Sequence, residues 1–519
     1  MGGRNMKIVP VCFSLVASFI SGISLLGIPT ELYIYGTAYV FSLIGALLMS
    51  IVISYTFIPV LYELQLTSVY EYLELRYDKR TRLFGSVIFS VYLMAWLPIV
   101  IYVPALAFNQ VTGVNIHIVS PLVCIVCIFY TCVGGLKAVV WTDVIQTIIM
   151  IGAIILVIIK GTVIVGGLDE VIAKNWETNR IELPSFALDL TERHSMWSVT
   201  IGSMFYWIGN IATNQSMMQR FLALSDLKMS IRAVWGFLCG LVFIVLICSY
   251  SGLLAYARYY ECDPLNSKLA LAKDQLLPLL VMDVCEAEWK GMPGIFVAGV
   301  FSAALSSLST GLNSMAAVVL EDFWKPFLRK LSQKQTQILV RSVVVVLGCI
   351  CVALVFVVEK LGSVLQLTMS LSSASMGSLS GIFLMGLFLP FIDGTSALSG
   401  GIVGLLCAWW VAVHSQLVQA QGLLTFNEKE RYTFNCSYTF VPTHNGHTEG
   451  EVPFLYRISY LWLTAFGCMV TITVACLVSL RSSSKKQYEL RLFAPFLRPW
   501  LLRRNKVIPH NMDLKMSAT

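Results

Sequence analysis

Charge is what this sequence has least of. Only 13% of its 519 residues are Asp, Glu, Lys or Arg, against roughly 25% in an ordinary soluble domain. Hydrophobic residues make up 57%, and the mean hydropathy is +0.76. That balance excludes a soluble enzyme, a disordered chain and a collagen-like fibre. Basic clusters interleaved with aromatics are missing, so nucleic acid is not an expected partner. No His/Cys spacing suits zinc, and the first apolar run is too long for a signal peptide and has no cleavage site. Cysteine, by contrast, is plentiful at 14. Most of it sits inside apolar runs (Cys124, Cys127, Cys132, Cys239, Cys248, Cys349, Cys351) and reads as a small apolar residue. Cys262, Cys285 and Cys436 lie in polar segments, where a disulfide among them is open.

What is present is a series of apolar runs, each near the ~20 residues that a helix needs to cross a bilayer. Twelve are counted, near 8-34, 37-61, 84-108, 117-133, 144-166, 197-213, 233-257, 293-319, 338-358, 363-390, 396-414 and 456-480. An even number puts both termini on one side. With that side inside, it holds 24 of the 36 Lys and Arg and 11 of the 29 acids, a net +13 against −6 outside. The positive-inside rule therefore predicts cytoplasmic termini. The sequence divides into a transmembrane domain over 1-480, an extracellular loop over 415-455 and a basic cytoplasmic tail over 481-519. The sequon Asn435-Cys436-Ser437 falls in the outer loop and is expected to carry a glycan. Asn214-Gln215-Ser216 falls at the inner end of the sixth run, where none is added. The tail carries nine basic and two acidic residues, and Pro495 and Pro499 argue against one long amphipathic helix. It reads as an anchor near anionic lipid or as a partner site.

Polar residues inside spans are costly and face a cavity or a partner. Three runs concentrate them. The first holds Ser14, Ser18, Ser21, Gly22, Ser24 and Gly27. The eighth holds Ser302, Ser306, Ser307, Ser309, Thr310 and Asn313. The tenth holds Gln366, Thr368, Ser370, Ser372, Ser373, Ser375, Ser378 and Ser380. In the eighth, Ala303, Ser306 and Ser307 stand at i, i+3 and i+4, so a carbonyl and two hydroxyls share one face. If the first helix unwinds near Gly22, the carbonyls of Ala17 and Ile20 can complete an oxygen cage for a hard cation such as sodium, as in discontinuous transporter helices. The competing reading is close helix packing through small residues.

The string Phe129-Tyr130-Thr131-Cys132-Val133-Gly134-Gly135-Leu136-Lys137-Ala138-Val139-Val140-Trp141-Thr142-Asp143-Val144-Ile145-Gln146 resembles the hallmark of the sodium/solute symporter family. Further matches are Ser14-Leu15-Val16-Ala17-Ser18-Phe19, Thr67-Ser68-Val69-Tyr70-Glu71-Tyr72-Leu73-Glu74, Asn109-Gln110-Val111-Thr112-Gly113 and Asn214-Gln215 with Gln219-Arg220. Cys262-Asp263-Pro264-Leu265, Met315-Ala316-Ala317 and Glu321-Asp322 follow. The resemblance covers about residues 2-480 and points to the branch of monocarboxylate, multivitamin and iodide symporters.

The resemblance implies an all-α polytopic LeuT-type fold: a 5+5 inverted repeat, helices 1-5 and 6-10, with helices 11 and 12 appended. It implies a sodium site on the carbonyls of Ala17, Ile20 and Ala303 and the hydroxyls of Ser306 and Ser307. A second sodium would involve Ser21, Ser24 and Tyr130. Ser24, Tyr102, Tyr206, Trp207 and Met369 would approach the substrate, although aromatics at helical spacing also serve packing. Asp143 reads either as a cap at the start of helix 5 or as part of an inner ion-exit path. Gln219-Arg220 and Glu321-Asp322 are expected to tie loops together. Family members carry one more helix before the Gly2-Gly3-Arg4 segment, so either the chain is truncated there, the favoured expectation, or the protein works without that helix. Iodide-type members carry Gln where this chain has Ser24, which fits monocarboxylate-type members better. The expected function is sodium-coupled import of a small organic anion, monocarboxylate or vitamin-like, across the plasma membrane. Sodium is the coupling ion, and the lipid bilayer is the surrounding partner. The rivals are a sodium-gated sensor or leak pathway and a non-transporting partner on the same fold. No catalytic constellation is visible.

Overall fold

The computed structural model describes residues 6–270, 272–285, 291–324, 332–358, 364–424, 426–436, 452–481, 488–503 and 507–508. Every one of the twelve apolar runs contains a helix. Among the described residues nine are long and apolar enough to cross a membrane: Thr37–Leu64, Lys79–Thr112, Ile116–Val133, Val139–Val165, Leu227–Arg258, Met292–Trp324, Lys334–Val358, Gly394–Ala420 and Tyr460–Ser479. The first run is two helices, Ile8–Phe19 and Gly22–Tyr35, bent by 61°. The sixth centres on Ser203–Ala212 and the tenth on Val364–Phe388. These are called here the first to twelfth spans.

The first span breaks for local reasons. Its helical ladder stops at the Ile20 N–H, which donates to the Val16 carbonyl at 2.8 Å. It resumes when Ser24 and Leu25 donate to the Ser21 carbonyl. Ser21 is extended (ψ 174°) and its hydroxyl accepts from the Ile23 N–H at 3.2 Å, an N-cap for the second half. A Ser-Gly pair is a recognised kink site, and the capping serine makes the restart favourable. The carbonyls of Ala17 to Ile20 thereby lose their helical partners. The sixth span breaks too, at Thr213-Asn214, where Asn214 accepts from the Ser216 N–H at 2.8 Å and starts a second short helix, Gln215–Phe221. Sequence reasoning had placed Asn214 at a helix end and saw no break there.

Burial separates core spans from lipid-facing ones. In the eighth span 78% of the apolar window is buried inside the protein, against 22% in the ninth and 28% in the fifth. Close approach is bought with small residues. A Cβ on Gly252 of the seventh span would lie 2.4 Å from the Pro29 carbonyl oxygen. In the tenth span Ser378 donates to the Gly401 carbonyl at 2.6 Å and Ser380 to Met376 at 2.6 Å, so these serines serve packing.

The two ends of the bundle differ. One carries residues 178–197, 259–270, 272–275 and 426–436, stapled by a disulfide between Cys262 and Cys436; the side chain of Cys285 lies outside the described residues. Here Lys273 pairs with Glu428 at 2.9 Å, Lys429 with Glu182 at 2.6 Å and Arg431 with Glu428 at 2.5 Å. The Lys429 N–H donates to the Ile34 carbonyl at 2.9 Å. Residues 426–436 thus lie as a strap across the end of the broken first span. The other end carries the tail. Leu490, Leu492, Phe493 and Ala494 are buried, the Tyr72 hydroxyl donates to the Leu492 carbonyl at 3.0 Å, and Arg498 pairs with Glu63 at 2.8 Å. This part of the tail docks on the protein's own body. Beside it Asp322 accepts from Ser68, Ser86 and Arg82 at 2.9, 2.6 and 2.5 Å, joining the eighth span to the third.

Candidate functional site

Both helix breaks line one cavity of about 80 Å³ in the middle of the bundle. The first span contributes Ser18 to Ser21 and Ser24, the sixth Tyr206, Trp207 and Asn210, and the restart after it Asn214 and Ser216. The third adds Tyr92 and Trp96, the eighth Ser307 and Thr310, the tenth Ser372. The unwound segments therefore expose backbone to a buried space, where irregular backbone is tolerated inside a membrane protein.

Beneath the cavity the polar groups of the first, fifth and eighth spans meet. Ser306, fully buried, donates to Asp143 Oδ1 at 2.6 Å. Ser14 donates to Asp143 Oδ2 at 2.6 Å and Ser18 at 3.4 Å. Arg220, on the short helix after the sixth-span break, completes the set at 3.1 Å, with both side chains 0% exposed. Its guanidinium also donates to the Thr310 hydroxyl and to the Ser216 carbonyl, the latter at 3.1 Å. Ser307 donates to the Ser18 carbonyl at 3.2 Å. The five atoms of the expected sodium cage come from residues that are all buried: Ala17, Ile20, Ala303, Ser306 and Ser307. The Ser307–Ser18 bond sets the eighth-span serine pair directly against the unwound stretch.

Other expectations fare differently. Ser24, Tyr206 and Trp207 do line the cavity. Tyr102 does not. The third span presents Tyr92 and Trp96 instead, and six residues beyond Trp96 a helix has turned about 240° from that face. Tyr130 donates its hydroxyl to the Leu305 carbonyl at 2.7 Å and does not line the cavity that Ser21 and Ser24 line. The side chain of Met369 lies outside the described residues. Asp143 is not a solvated cap, since it lies inside the helical run and is fully buried among its donors. Asn210 was missed, although it stands at i+4 from Tyr206 and its amide donates to the Tyr206 carbonyl at 3.0 Å. A helical wheel through Tyr206 and Trp207 would have found it.

The comparisons with known proteins settle the class. The family model described as "Sodium:solute symporter family" matches residues 1–404. The chain belongs to that family. It is a transporter, not an enzyme, and sodium is the coupling ion of this symporter. The human "Sodium-coupled monocarboxylate transporter 1" is 35% identical over 504 residues, 94% of this chain and 82% of that protein. The human "Sodium/iodide cotransporter" is also 35% identical, over 524 residues, 97% of this chain and 81% of that protein. A solved structure of a Na+-coupled sialic acid symporter, substrate-bound and outward-open, superposes with a TM-score of 0.75 at 22% identity, covering 93% of this chain and 91% of that one. The symporter is therefore a polytopic all-α protein of the LeuT type.

Proposed function

We propose that this symporter imports a small organic monocarboxylate with sodium across the plasma membrane, the disulfide-bearing end facing out and the tail facing the cytoplasm. The observation that carries the reading is the Ser307 hydroxyl 3.2 Å from the Ser18 carbonyl. It sets two buried hydroxyls against carbonyls that a broken helix has freed. Ser306 spends its hydrogen on Asp143, so its lone pairs stay available to a cation and are enriched by the carboxylate beside it. Sodium would be held by the carbonyls of Ala17, Ile20 and Ala303 and the hydroxyls of Ser306 and Ser307, with Asp143 supplying negative charge one hydrogen bond away. Helices 1-5 and 6-10 would be the two repeats, each opened by a broken helix.

The anion would sit in the cavity above. Trp207 is 5% exposed, and its indole N–H has no hydrogen-bond partner among the described residues. A buried donor without an acceptor is costly, and a carboxylate oxygen relieves it. Ser24 and Tyr206 line the same space. Sites for drug-sized ligands run about 300–1,000 Å³. A cavity of about 80 Å³ favours a pyruvate- or lactate-sized acid over a biotin-sized vitamin. The relatives' names do not separate these, since the monocarboxylate and iodide proteins are equally similar. Sodium binding would fix the broken first span against the eighth and so order the cavity; its pull on the equilibrium equals its differential affinity for the two states.

Outward placement of the stapled end is supported by the excess of Lys and Arg on the opposite side and by the disulfide itself, which persists in oxidising compartments. Exposed Asn435 at that end is the proposed glycan site. The test is radiolabelled uptake of pyruvate, lactate, butyrate, biotin, pantothenate and iodide in expressing cells, with choline replacing sodium. Short monocarboxylates should accumulate only with sodium, and Ser306→Ala with Ser307→Ala should abolish that uptake at unchanged surface protein. Sodium dependence that survives the double substitution overturns the site.

A further inference from the structure

Asn435 is not at the tip of a free loop. The residue after it, Cys436, is bonded to Cys262. Its own backbone N–H donates to the Glu261 carbonyl at 3.3 Å, and its side-chain amide donates to the Glu261 carboxylate at 2.6 Å. Three residues earlier the Tyr432 carbonyl accepts from the Asp263 N–H at 2.8 Å, and Arg431 lies 3.5 Å from the Asp263 carboxylate. The strap is thus zipped to residues 261–263 on both sides of the asparagine. Tyr260 packs against Tyr432 and Phe434, with ring centroids 5.7 and 6.3 Å apart.

We infer that closing the Cys262–Cys436 disulfide ends the period in which Asn435 can accept its glycan, so that glycan occupancy records the order of the two reactions. The inference rests on the reading that this end of the protein faces the secretory lumen and then the exterior. Glycan transfer acts on the amide nitrogen of a segment drawn out into the transferase. The Asn435 Nδ2–sugar bond forms as the sugar's bond to its lipid pyrophosphate carrier breaks, and Nδ2 loses one proton. A segment anchored by a covalent bond at the very next residue, with its amide and backbone already engaged by Glu261, cannot be drawn out. The opposite order meets no such barrier. Asn435 is exposed, a glycosylated amide keeps one N–H for Glu261, and the sugar would extend into solvent while the two thiols close. Closure oxidises both thiols, and the disulfide of a lumenal oxidoreductase is reduced to two thiols in exchange. Cys262 lies 174 residues before Cys436, so it has already been synthesised when Cys436 emerges. The two reactions therefore compete for one short stretch of chain.

The full chain is expressed in mammalian cells, pulse-labelled, and run on gels with and without peptide N-glycosidase F. Total protein is read, so a variant that is retained inside the cell still reports. Wild type should give two bands, one glycosylated and one not. Cys262→Ser should shift the material to the upper band, and Cys436→Ala, which leaves Asn435 followed by a small residue, should do the same. Dithiothreitol during the pulse should raise wild type to the level of Cys262→Ser and leave that variant unchanged. Asn435→Gln in the Cys262→Ser background should remove the upper band. Equal, non-zero occupancy in wild type and Cys262→Ser, or full occupancy in wild type, overturns the inference and leaves the outward reading standing. No glycan on any of the proteins overturns the outward reading and the inference with it.

Discussion

Asp143 is fully buried and accepts from three serine hydroxyls and one guanidinium. Removing one partner of a buried ion pair leaves the other charge uncompensated, at a cost of about 3–5 kcal/mol. Arg220→Gln and Asp143→Asn should each destabilise the detergent-solubilised protein on that scale. The double substitution should cost much less than their sum, which a double-mutant cycle on thermal unfolding would read; strictly additive losses would mean that the two groups do not share one site. The pair shows where sequence reading stops. Asp143 next to Thr142 looked like a helix cap, and nothing local reveals that a residue 77 positions later returns to it. Ser306 and Ser307 were legible because i, i+3 and i+4 spacing is a property of one helix. Tyr102 misled for the same reason in reverse, since aromatic character carries no phase and the cavity takes the face of Tyr92 and Trp96.

At the scale of elements, the break in the first span was legible and the one in the sixth was not. Ser21-Gly22 carries its own signals, a capping hydroxyl and a poor helix former. Thr213-Asn214 carries a capping amide but neither glycine nor proline, and a cap alone does not tell a restart inside a run from the end of one. The legible break can be tested. Gly→Ala in a helix is worth about 1 kcal/mol, and loss of a serine N-cap costs about 1 kcal/mol. Ser21→Ala with Gly22→Ala therefore shifts the balance toward a continuous helix that would reclaim the carbonyls of Ala17 to Ile20. The added Cβ meets Val103 and Val300 at 3.3 and 3.4 Å, a fit that needs only a small adjustment. The sodium concentration for half-maximal uptake should rise severalfold while surface protein holds. An unchanged value would mean that those carbonyls do not ligate the ion.

Across the whole molecule, each of the twelve apolar runs that hydropathy picked out holds a helix, because a bilayer forces backbone polar groups into helices. It was silent on which spans face lipid and on how distant segments close the stapled end. That closure gathers the second half of the first span, residues 191–197 and the start of the twelfth span around one ion cluster. Arg193 grips Glu31 at 2.6 and 3.0 Å. His194 Nε2 lies 3.1 Å from Glu31 and 3.2 Å from the Tyr460 hydroxyl, with the rings of Tyr35 and Tyr39 around it. Burial holds the His194 imidazole below its ordinary value of 6.5, against the opposing pull of the Glu31 carboxylate, while Arg193 disfavours a second positive charge there. The folded state thus prefers neutral His194 and the unfolded state does not. The stabilisation from this group is complete above pH 6.5, and it fades as pH falls from 6.5 toward the lowered folded value, because the unfolded chain binds the proton first. Thermal stability of the purified protein should decline over that interval in wild type and decline less in His194→Gln. Because stability is read without substrate, protonation of a transported acid cannot mimic the effect. Parallel pH profiles for the two proteins would show that the folded and unfolded chains bind this proton equally, and would overturn the preference for neutral His194.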